Sequence, residues 1–115
     1  MQALYQLLKM GDAKSFVDSK IASKKVMIFS KQGCPYCSKA KNTFSKYLGD
    51  VLSNDDYEVI EINELTNCSD IQDYLQKLTG ARSVPRVFIN QKFVGGGDDV
   101  VAKDKSGELK ILLNA

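Results

Sequence analysis

The chain has 115 residues, 43 % of them hydrophobic, with 16 basic against 14 acidic side chains and a formal net charge of +2. That is enough apolar material for one compact domain and too much for a disordered chain, and so weak and mixed a charge excludes a non-specific nucleic-acid binder or a polybasic membrane-surface segment. With no histidine, Ser-His and Cys-His nucleophile pairs and the commonest metal ligand are gone, and three cysteines suit a reducing compartment better than a secreted disulfide scaffold.

No apolar run approaches the roughly 20 residues needed to span a bilayer. The opening residues lack the charged leader, apolar core and cleavage site of a signal peptide. They read as an N-terminal extension, residues 1–11, of a single domain spanning 1–115, with the cytoplasm as the expected location. Asp12 to Lys24 reads as a helix, with Phe16, Val17 and Ile21 recurring at helical spacing. Val26 to Phe29 is a short continuous apolar run, suited to a strand buried on both faces. Lys31-Gln32-Gly33 is a loop. Pro35 to Leu48 reads as the next helix, since proline favours the first helical position and Gly49 suits the stop.

After turn residues at Asn54-Asp55-Asp56, Tyr57 to Ile62 reads as a strand. Ser69 to Thr79 is the clearest helix: Ser69 is placed to cap it, Gln72 stands at the capping-box position, and Gly80 closes it. Arg86–Ile89 and Lys92–Val94 form a hairpin about Asn90-Gln91. Asp98-Asp99 then caps a short helix, and Gly107 to Leu113 makes a final one. Strands separated by helices imply a parallel pair, and the late hairpin adds antiparallel strands, so the fold class is α/β with one mixed sheet flanked by helices.

The chemistry lies in Cys34-Pro35-Tyr36-Cys37, which follows a strand and opens a helix. A cysteine at a helix N-terminus faces unpaired backbone N–H groups and the positive end of the dipole, and Lys31 adds a nearby cation. All of these favour thiolate over thiol, which makes Cys34 the nucleophile, and Cys37 lies one turn later, within reach of a disulfide. A zinc half-site is the rival reading, but a tetrahedral site needs four protein ligands, and only Cys68 remains.

Four segments together carry a family resemblance: Lys31 to Cys37, Leu78-Thr79-Gly80, Ser83 to Ile89, and Gly95-Gly96-Gly97-Asp98-Asp99. The chain resembles a dithiol glutaredoxin over nearly its full length. Ser83 stands where that family usually has threonine. The resemblance implies a thioredoxin-like fold with a four-stranded sheet of order 2-1-3-4, and glutathione as reducing co-substrate. It further implies reduction of protein–glutathione mixed disulfides and protein disulfides by a monomeric enzyme without a metal, a nucleic-acid partner or a membrane partner.

Residue by residue, the resemblance implies a cis Val84-Pro85 bond beside the cysteines, where the base rate for X–Pro favours trans. Val84 would then offer its backbone to the extended tripeptide. It places the γ-glutamyl end at Asp98 and Asp99, which the residues alone favour as a helix cap. It places the glycyl carboxylate near Lys31, Gln72 and Arg82, and has Tyr36 bordering the groove. Cys68 is expected to have no catalytic role. Two rival functions remain: a thioredoxin-like enzyme served by a reductase protein, and an iron–sulfur carrier using Cys34 of two chains with two glutathiones, which Pro35 disfavours by family analogy.

Overall fold

The computed structural model describes residues 2–115, with side chains from Gly11 onward. Five helices surround one sheet. In chain order they are α1 (Gln2–Ser23), β1 (Val26–Ser30), α2 (Pro35–Ser45), β2 (Tyr57–Glu61), α3 (Cys68–Thr79), β3 (Arg86–Ile89), β4 (Lys92–Gly95), α4 (Gly97–Ser106) and α5 (Glu108–Asn114). Strand order is β2-β1-β3-β4, with β1 parallel to β2 and antiparallel to β3, and β4 antiparallel to β3. This is the expected topology.

β1 is central because all five of its residues are buried. Its side chains alternate between faces. Met27 and Phe29 join Val17, Ile62, Ile71 and Leu75 in a core beneath α1 and α3. Val26 and Ile28 join Ala40, Phe44, Val100 and Leu109 in a second core beneath α2, α4 and α5. A strand with apolar residues on both faces fits only inside a layered helix–sheet–helix arrangement. Phe29 and Phe88 meet edge to face across β1 and β3, ring centroids 5.9 Å apart.

Three element ends differ from the sequence expectation. α1 runs through the predicted extension, from Gln2, rather than beginning at Asp12. α2 stops at Ser45, not Leu48: the chain turns at Lys46, Gly49 takes the left-handed conformation at φ 82, and Leu48 pairs with Leu52 instead. α3 begins at Cys68 with Asn67 at the cap and no side-chain capping bond, so the Ser69–Gln72 capping box does not form. The hairpin turn is as predicted, and its residues Asn90 and Gln91 both have positive φ, 50 and 68, as a two-residue connection between twisted strands requires.

Candidate active site

β1 delivers the chain to the site. Past Ser30, the Lys31–Gly33 loop turns through Gly33 at φ 78, and Cys34 arrives at the N-cap of α2 in extended conformation, φ −92 and ψ 115. The Cys34 carbonyl accepts from Ser38 N–H at 3.1 Å, and Cys34 Sγ accepts from Cys37 N–H at 3.2 Å. The sulfur therefore does at this helix start what a Ser or Asp oxygen does at others, taking up a backbone donor that has no helical partner.

The two cysteines are free thiols in unlike surroundings: Cys34 is half-buried and Cys37 is fully buried. Burial pushes the Cys37 thiol up, and the Cys34 sulfur beside it adds to this. The Ser30 hydroxyl and the Lys31 backbone pull the other way. Burial is the largest of these effects and decides the direction.

The Val84–Pro85 peptide is cis, as the resemblance implied, and Cys34 Sγ stands 3.8 Å from the Val84 carbonyl oxygen. Arg86 donates through Nε to the Pro85 carbonyl at 3.1 Å and lies over the Phe93 ring, 4.9 Å from its centroid. On the other flank α4 begins directly against α2: a Cβ at Gly97 would lie 2.5 Å from the Tyr36 carbonyl oxygen. This close approach brings the N-terminal ends of two helices, with their unpaired N–H groups, to one side of the cysteines.

Asp99 Oδ2 accepts from Gly96 N–H at 2.8 Å, so the carboxylate holds the start of α4 from its third residue. Asp98 projects outward and pairs with Lys39 at 3.4 Å. Lys39 also lies over the Tyr36 ring, 5.0 Å from its centroid, and Tyr36 is 51 % exposed at the rim. Gln72 is buried, with its amide nitrogen donating to the Arg82 carbonyl at 2.8 Å and its oxygen 3.6 Å from Cys68 Sγ. That is the use of its side chain in place of the predicted capping box. Arg82 itself pairs with Asp73 at 3.2 Å and reaches Ser69 Oγ at 3.3 Å.

Cys34, Cys37, Tyr36, Val84, Pro85, Asp98 and Asp99 are thus linked by direct contacts or by α4's seat on α2, with Lys31 on the loop before Cys34. Gln72 joins through Arg82, close in sequence to Val84, and Cys68 lies behind Gln72. Among the described residues no His, Cys, Asp or Glu group of three or more is arranged to hold a metal ion. The sequence reading missed Lys39, Arg86 and Asn63. Their contacts with Asp98, Phe93 and Gln32 join separate elements and leave no local pattern in the sequence.

A family model described as Glutaredoxin matches residues 26–94. The chain belongs to the glutaredoxin family. The Glutaredoxin-1 of Bos taurus is 46 % identical over 97 residues, covering 84 % of this chain and 89 % of the bovine one. Glutaredoxin-C4 of Arabidopsis thaliana is 46 % identical over 98 residues, covering 85 % of this chain and 68 % of that protein. Among solved structures, oxidized glutaredoxin 2 from Chlamydomonas reinhardtii superposes with a TM-score of 0.80 at 42 % identity, covering 90 % of this chain and 92 % of that one. A buckwheat glutaredoxin–glutathione complex superposes at 0.81 with 32 % identity, covering 91 % and 90 %. The chain is accordingly a glutaredoxin oxidoreductase with the thioredoxin-like fold. The family match runs from β1 to β4 and contains both site cysteines and the cis proline, whereas Asp98 and Asp99 lie just beyond it.

Proposed function

We propose that this glutaredoxin reduces protein–glutathione mixed disulfides and protein disulfides at the expense of glutathione, through Cys34 and Cys37. The observation that carries the reading is the inequality of the pair: an accessible sulfur that accepts a backbone N–H, beside a buried thiol pushed up by its surroundings.

In the first branch, Cys34 thiolate attacks the glutathione sulfur of a mixed disulfide. The protein sulfur leaves as thiolate and takes a proton, and glutathione stays bonded to Cys34. A second glutathione, as thiolate, attacks that bond, releasing Cys34 thiolate and glutathione disulfide. In the second branch, Cys34 attacks a protein disulfide and holds one of its sulfurs. Cys37 gives up its proton and attacks Cys34 Sγ, forming the Cys34–Cys37 disulfide and expelling the protein thiolate, which is protonated. Two glutathiones then restore both thiols and leave as glutathione disulfide.

The buckwheat complex supports glutathione as the co-substrate. The Val84 backbone beside Cys34 suits the extended tripeptide, and the start of α4 with Asp98 and Asp99 suits its γ-glutamyl end. Lys31, Gln72 and Arg82 suit the glycyl carboxylate, and Tyr36 forms the rim. The cysteine usage supports a reducing compartment such as the cytoplasm, and a monomer suffices for every step.

The test is glutathione-coupled turnover of a glutathionylated peptide and of a protein disulfide by three proteins. Wild type should use both substrates, Cys37→Ser should keep the first and lose most of the second, and Cys34→Ser should lose both. Deglutathionylation that survives in Cys34→Ser and vanishes in Cys37→Ser would reverse the assigned roles.

A further inference from the structure

β1 and β2 pair in parallel with a constant offset, from Val26 opposite Tyr57 to Ser30 opposite Glu61. β2 then ends, because the chain tightens into a 3-10 turn at Ile62–Glu64, closed by Leu65 N–H on the Ile62 carbonyl at 3.0 Å. The backbone of that turn is no longer a ladder partner. Continued at the same offset, the register sets Gln32 opposite Asn63, and there the structure has a side chain where the ladder would have had a carbonyl. Asn63 Oδ1 accepts the Gln32 backbone N–H at 2.9 Å, and Asn63 Nδ2 returns a bond to Gln32 Oε1 at 3.3 Å. Gln32 Nε2 is held in turn by Glu64 Oε1 at 2.8 Å.

These bonds sit two residues before Cys34. Nothing lies within 4 Å of where a Gly33 Cβ would be, and the turn bond from Cys34 N–H to the Lys31 carbonyl is long, at 3.4 Å. An Asn side chain is suited to this place because it both accepts and donates, as a peptide group does.

We propose that Asn63 is a positioning residue for Cys34, prolonging the β1–β2 pairing by a side chain so that the loop presenting the sulfur behaves as part of the sheet. Its effect falls on whatever step Cys34 begins. Both branches of the proposed reaction open with attack by Cys34, so both should slow by one factor. None of the substitutions removes a residue proposed to contact glutathione, so the KM for glutathione should hold. The substrate assays rest on the function proposed above, and the closing experiment therefore includes a step free of glutathione.

The experiment compares wild type, Asn63→Ala, Asn63→Asp and Gln32→Ala. Asn63→Ala should lower kcat on a glutathionylated peptide and on a protein disulfide by the same factor, about three- to tenfold, with KM for glutathione unchanged. Diamide closes the Cys34–Cys37 disulfide by taking two electrons and two protons from the thiols. That closure should slow in Asn63→Ala as well, and the Gln32 amide should exchange its hydrogen faster. Asn63→Asp keeps the acceptor, and Gln32→Ala keeps the backbone bond while removing the side-chain ones, so both should stay within about twofold of wild type. Asn63→Ala within twofold of wild type overturns the proposal, as does Asn63→Asp or Gln32→Ala falling as far as Asn63→Ala. A wild type that ignores glutathione while Asn63→Ala still slows the diamide step defeats the proposed function and leaves the positioning role standing.

Discussion

Cys37 gives its backbone N–H to the Cys34 sulfur at 3.2 Å while its own sulfur is sealed from solvent. One residue thus supports its neighbour as an acceptor and is itself denied the hydration a thiolate needs. The division of labour between the two cysteines follows from the first turn of one helix.

The sealed thiol has a consequence for stability. An acid held above its unfolded value contributes stability that is full below the ordinary thiol range, near 8.5, and is lost as pH rises through the folded value, because the unfolded chain releases its proton first. Cys37 is raised in this way by burial and by Cys34. The thermal midpoint of the reduced protein should fall as pH rises above about 8.5, and Cys37→Ser should flatten the fall. Tyr57, pushed up to about 12 by burial and Glu61, adds a second loss above about pH 10, so the scan should stop there. Equal slopes for the two proteins between about pH 8 and 10 would show that Cys37 is not the responsible group.

The seat of α4 on α2 admits no side chain at Gly97, where a Cβ would meet the Tyr36 carbonyl oxygen at 2.5 Å. Backbone must move, so Gly97→Ala should destabilise by about 1–3 kcal/mol in urea unfolding and slow turnover on both substrates. Gly11→Ala is the contrasting control. It lies within α1 with nothing inside 4 Å, and should stabilise by about 0.5–1 kcal/mol. Equal stability of the two variants would contradict the close contact.

Asp99 has two offices that one pair of variants separates. Its Oδ2 caps Gly96 N–H at 2.8 Å, and its charge is proposed to meet the γ-glutamyl ammonium. Asp99→Asn keeps an oxygen for the cap and loses the charge; Asp99→Ala loses both. KM for glutathione should rise severalfold in both variants, whereas only Asp99→Ala should lose the stability of a cap, about 1 kcal/mol. Cys34 alkylation should stay near the wild-type rate in each. An unchanged KM in Asp99→Asn would leave the residue with the cap alone.

Cys68 donates to the Gln72 amide oxygen at 3.6 Å and is a free thiol. A serine hydroxyl can make the same bond, so Cys68→Ser should turn over both substrates within about twofold of wild type. A tenfold loss would place this thiol in the redox cycle.

What was legible in the sequence was what lies close along it. The Cys34–Cys37 spacing, the buried run of β1, the two-residue hairpin and Gly80 at the end of α3 all declare themselves within a few positions. The capping box at Ser69 was a local pattern too, and it failed because a distant group won. The Arg82 carbonyl, on the loop before the cis proline, takes the Gln72 amide, and the helix starts at Cys68 instead. α2 ends early for a local reason, since Leu48 pairs with Leu52 four residues on. The link between Gln32 and Asn63 joins elements 31 positions apart and appears only once the strand register is known. The relatives establish the family, while Tyr36 and Gln72 take their places from the packing of α4 on α2 and of Gln72 against the Arg82 loop, and Asp99 from its bond to Gly96.

The complete burial of Cys37 also governs how the oxidised enzyme is reopened. A disulfide can be cleaved at either sulfur, and an attacking thiolate must approach along the S–S axis from behind the sulfur it strikes. With one end of the bond walled in, approach is open only at Cys34. The incoming thiol therefore always becomes attached to the exposed sulfur and always expels the hidden one. Packing fixes the regiochemistry of ring opening, and no adduct is stranded on a sulfur that a second thiol could not reach.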